Sequence, residues 1–115
     1  MAIDLDQLVT DMKTAATGVL NADITTLRGL SERQLQAIAK QAELVATGIA
    51  TQQITKETQE FFLDSLEDMA LSFAKTLRGL VMVTIEKVWN SIVGVLWNAI
   101  SKAAGITLPT PVMNH

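Results

Sequence analysis

The chain has 115 residues, 49% of them apolar and 18% charged, with a net charge of −3 and no cysteine. That length fits one domain with a modest core. The lack of cysteine excludes disulfides and thiolate chemistry, and a slightly acidic chain without a basic stripe argues against a nucleic-acid partner. Soluble domains usually carry about a quarter charged residues. The apolar excess therefore predicts that something outside the chain covers part of its surface.

The opening MAIDLDQL carries acids where a secretory signal has a basic region and an apolar run. No cleavable signal is expected, which places the chain in the cytoplasm or a virion, with membrane attachment as the alternative. Asp4 is positioned to cap a helix over 4–20, in which Leu5, Leu8, Val9, Met12, Ala15, Ala16 and Val19 form one apolar face. Asn21-Ala22-Asp23 reads as a connection, and Asp23 or Thr25 can cap a brief helical piece carrying Ile24 and Leu27. Ser31 and Gln34 then have the spacing of a capping box that opens a helix over 32–50. In that helix Leu35, Ile38, Ala42, Val45 and Ile49 alternate by three and four, while Ala37, Ala39, Ala46 and Gly48 permit close helix approach. The loss of periodicity from Thr47 to Gln53 predicts a turn.

The stretch from Thr55 to Gly105 contains no proline. Thr55 is its expected N-cap, and Glu57 and Glu60 suit the positive end of the helix dipole. Phe62, Leu66, Met69, Phe73, Leu77 and Leu80 mark a seam. Leu77, Leu80, Val81, Ile85 and Val88 keep it in phase across Gly79, so the pattern predicts one helix over 56–104, roughly 70 Å long at ~1.5 Å per residue. Gly105 followed by Ile106 fits a glycine C-cap, and Pro109 and Pro111 disfavour a further helix. The expected fold is all-α: a single domain over 1–106, in which two shorter helices pack along one long C-terminal helix, and an extended tail over 107–115. A compact four-helix bundle broken at Gly79 is the competing arrangement. The pentapeptide Thr26-Leu27-Arg28-Gly29-Leu30 recurs as Thr76-Leu77-Arg78-Gly79-Leu80, but identities beyond it are almost absent, and chance explains it.

Residues 88–100 hold no charge. Val88, Trp89, Ile92, Val93, Leu96, Trp97 and Ile100 cover a wide apolar face, the expected interface with other copies or a larger protein assembly. The same face gives the alternative of a lipid bilayer, since tryptophan favours the headgroup region and residues 80–104 could insert as an anchor, tunnel or pore. A spanning segment over 79–101 would have the necessary ~20 residues, but Glu86 and Lys87 fall inside it, each costing roughly 2.5–3.5 kcal/mol at the centre of a bilayer.

Glu60, Asp64, Glu67 and Asp68 share one helical face, yet a dimetal bundle site wants a Glu-x-x-His on partner helices, and the one histidine is His115. The cluster reads as a solvated acidic face. No histidine base, phosphate-binding glycine loop or nucleophile elbow accompanies the serines and threonines. No enzyme activity, cofactor, metal or small-molecule substrate is expected.

The stretches TLRGLSERQ and KTLRGLVMVTIEKVW, in a short helical chain with a proline-bearing tail, resemble small helical proteins encoded by phages and prophages. The resemblance implies a virion component or an accessory that works by assembly or membrane contact, and it transfers no functional residues. Together these readings describe a non-enzymatic, self-associating helical protein.

Overall fold

Asp4 starts the first helix. Its Oδ1 accepts the Gln7 backbone N–H at 3.2 Å and its carbonyl accepts the Leu8 N–H at 2.9 Å, which satisfies donors that a helix start leaves free. A computed structural model describes residues 3–20, 32–80 and 83–112. They form α1 (Leu5–Leu20), α2 (Glu32–Ala50), α3 (Lys56–Leu80) and α4 (Ile85–Ala104), with no strand among the described residues. The expected helical piece at Ile24 and Leu27, the Ser31 half of the capping box, the first copy of the pentapeptide and the last three residues of the tail lie outside them.

α2 and α3 form an antiparallel hairpin. In the turn between them the Thr51 N–H reaches the Thr47 carbonyl and the Ile54 N–H reaches the Gly48 carbonyl, both at 2.9 Å. Gln52 adopts a left-handed φ of 64°. The Ile54 side chain folds back onto Gly48, where an added Cβ would lie 2.5 Å from Ile54 Cδ1, so this close approach favours glycine and a larger residue must displace Ile54. Thr55 and Thr58 cap α3 reciprocally: the Thr55 N–H donates to Thr58 Oγ1 at 3.0 Å and the Thr58 N–H to Thr55 Oγ1 at 3.4 Å. Further along, Gln34 Nε2 donates to Ser72 Oγ at 3.1 Å and sets the register of the hairpin.

The helix predicted over 56–104 is in fact two. α3 ends at Leu80, one residue past Gly79, Val83 and Thr84 are not helical, and α4 begins at Ile85. Thr84 caps α4 in an extended conformation (φ −89°, ψ 121°) without a side-chain hydrogen bond, so no strong capping signal marks the break. The reason for it is tertiary. An uninterrupted helix would carry α4 about 30 Å beyond the hairpin with its apolar face bare. Folding back buries seven large side chains, worth roughly 1.5–3 kcal/mol each, against a few helical hydrogen bonds worth about 1 kcal/mol net apiece. The elongated three-helix arrangement thus gives way to the four-helix alternative.

The resulting globule measures 40 × 31 × 18 Å with a radius of gyration of 13.8 Å. α4 packs on α1, α2 and α3, and α2 likewise packs on the other three, while α1 and α3 do not meet. The central α2–α4 pair therefore separates the two outer helices. Lys13 of α1 pairs with Glu32 of α2 at the rim. At the far end Gly105 turns left-handed (φ 69°), and the N–H groups of Gly105 and Ile106 both return to the Ser101 carbonyl. The tail then runs without helix but stays packed: Leu108 is buried, and its N–H reaches Ser101 Oγ at 3.3 Å.

Candidate partner surface

The apolar face of 88–100 is the expected partner interface. The structure places that face inside the chain. Val88, Trp89, Ile92, Val93, Leu96, Trp97 and Ile100 are all buried and belong to one core with Leu35, Ile38, Leu66, Phe73 and Leu77. The Trp89 indole N–H donates to the Glu67 backbone carbonyl at 3.0 Å, which satisfies its polar edge within the fold. Glu86 is half-buried and Lys87 exposed at the start of α4. Because α3 and α4 are separate, no helix spans 79–101, and none among the described residues is long and apolar enough to cross a membrane. The face cannot meet another copy or a lipid surface unless the bundle opens.

The acidic side chains remain at the surface. Glu60, Asp64 and Asp68 are exposed and Glu67 is half-buried. Burial pushes the Glu67 carboxyl above the usual carboxylate range, and the charge of Asp64, a hydrogen bond with it, and the charges of Asp68 and Glu60 push it the same way. Among the described residues no group of three His, Cys, Asp or Glu side chains could hold a metal ion. The concavities are open grooves between elements. One of them lies between α1 and α4, where Leu8, Val95 and Ala99 line a space of about 430 Å³ bordered by Asp11 and Lys102. Neither groove nor acidic face pairs a nucleophile with a base.

The surface that stands out is the hairpin. Phe61 is 73% exposed and Leu44 55% exposed, large apolar side chains set among polar ones. Half-buried Phe62 packs against the core and holds the Phe61 ring edge-on, with centroids 5.4 Å apart and planes at 89°. From Gln34 opposite Ser72, ten residues forward on α2 and ten back on α3 bring Leu44 level with Phe62, beside Phe61. Both residues lie off the apolar seams of their helices, so periodicity alone does not single them out. The signal was present: Phe61 follows Glu57 by four residues and precedes Asp64 by three, so it sits on the acidic face.

No protein-family model, curated protein or solved structure matches this chain.

Proposed function

We propose that the protein is a non-enzymatic helical assembly component that associates with other copies of itself through the outer face of the α2–α3 hairpin. The exposure of Phe61 and of Leu44, at one height on adjacent helices by the Gln34–Ser72 register, carries this reading. Leu80 and Val112 are also exposed, but Phe61 and Leu44 stand at one level of one hairpin, and association would remove both from water. The likeness to small phage-encoded helical proteins supports an assembly role, as a virion component or accessory. The arrangement differs from the interface expected at 88–100, since those residues already complete the monomer's core. Sedimentation of the purified chain across a concentration series tests the proposal. The wild type is expected to gain mass with concentration and Phe61→Ser to remain monomeric with unchanged helicity. A wild type that stays monomeric throughout, or a Phe61→Ser variant that associates equally well, would remove the reading. Flotation with liposomes in place of self-association would favour the bilayer alternative.

A further inference from the structure

The outer faces of α2 and α3 differ in chemistry. On α2 the exposed residues Ala37, Lys40, Leu44 and Thr47 follow one another at steps of three and four, so they share a stripe that is cationic and apolar. Glu43, half-buried, points about 100° away from Leu44. On α3 the exposed residues Glu57, Phe61, Asp64 and Asp68 form the matching stripe, which is anionic and apolar. The register makes the two stripes complementary at the same height. Six residues forward from Gln34 is Lys40, and six back from Ser72 is Leu66, which lies between Asp64 and Asp68. Leu44 stands level with Phe62, next to Phe61.

From this pattern we infer that a second copy docks face to face on the hairpin about a two-fold axis parallel to α2 and α3. Such an axis lays α2 of each copy over α3 of the other without a shift along the helices. Leu44 then meets Phe61 of the second copy, Lys40 enters the space between that copy's Asp64 and Asp68, and the symmetry repeats both contacts. Other arrangements are poorer. An axis lying in the plane of the face and perpendicular to the helices stacks α2 on α2 and α3 on α3, which sets the Lys40 stripes against each other and adds carboxylates to those of Glu60, Asp64, Glu67 and Asp68. The inference rests on the proposed self-association and supplies its geometry.

Charge exchange tests the pairing. Lys40→Glu alone, or Asp64→Lys with Asp68→Lys, should raise the dissociation constant about tenfold or more by placing like charges together. An equimolar mixture of the two variants should recover association, because in a mixed dimer both contacts regain opposite charges. A wild type that is monomeric at every concentration would remove the self-association proposal and this geometry with it. A wild type that dimerises, with variants that dimerise equally well or a mixture that recovers nothing, would overturn the geometry alone. Should either charge variant lose helix, the absence of native cysteine allows a second measurement. Leu44→Cys mixed with Phe61→Cys and treated with a short bismaleimide should give the heterodimer, and homodimers of each single variant instead would contradict the axis.

Discussion

The indole of Trp89 in α4 is tied to the backbone of Glu67 in α3, its N–H donating to that carbonyl at 3.0 Å. The bond joins two helices that the sequence pattern would have run together as one, and it fixes α4 against the middle of α3 rather than beyond its end. Replacing the tryptophan with phenylalanine keeps an aromatic ring but removes the donor and part of the volume. Trp89→Phe is expected to cost about 1–2 kcal/mol, from the lost hydrogen bond and incomplete filling of its site. A urea titration followed by far-ultraviolet circular dichroism measures this. An unchanged midpoint would mean that the contact does not hold α4 in place.

Two glycines should respond to alanine with opposite signs. Gly94 lies inside α4 with nothing within 4 Å of an added Cβ, so Gly94→Ala is expected to stabilise by about 0.5–1 kcal/mol through helix propensity. At Gly48 the same change drives a methyl group into Ile54. The overpacking cost of about 1–3 kcal/mol should exceed the propensity gain. Thermal melts of the two variants against the wild type compare them directly, and Ile54→Ala in the Gly48→Ala background should return part of the loss to alanine at Gly48.

Local signals in the sequence were legible because they are chemical and short-range. Asp4 caps α1, Thr55 caps α3, and Gly105 takes the left-handed turn that ends α4. The apolar face of 88–100 was also legible, residue for residue. Its occupant was not, since periodicity states which side of a helix is covered and is silent on what covers it. The break after α3 was hidden for a related reason. Val83 and Thr84 are β-branched and weaken a helix only slightly, so neither forbids continuity, and the gain that favours the turn comes from contacts distant in sequence. Phe61 and Leu44 were readable as apolar residues on polar faces, but their common height depends on the hairpin register set by Gln34 and Ser72.

Glu67 should make the fold slightly more stable in acid. Burial and its three acidic neighbours raise its folded pKa above the unfolded value. Its contribution is therefore fully present below the unfolded pKa and is lost as pH rises through the folded one. The half-buried carboxyl keeps part of its surface in water, which screens these interactions, so the effect is expected to stay below about 1 kcal/mol. Glu67→Gln should raise the melting temperature at neutral pH and flatten its slope through the range where carboxylates titrate. Melts at a series of pH values give the slope, and an identical slope in the variant would show that Glu67 is not its source.

In this structure α4 is the core of each single chain rather than a surface completed by others. Trp89 and Trp97 are the only tryptophans, tyrosine is absent, and both indoles lie on the face in question. Their fluorescence therefore reports on α4 alone. The decisive measurement is acrylamide quenching of the wild type at dilutions where its sedimentation is that of a monomer. Tryptophans shielded in the monomer, and no better shielded when copies associate, are the expected result. Tryptophans open to the quencher in the monomer and shielded only on association would contradict it, and would return the interface to residues 88–100.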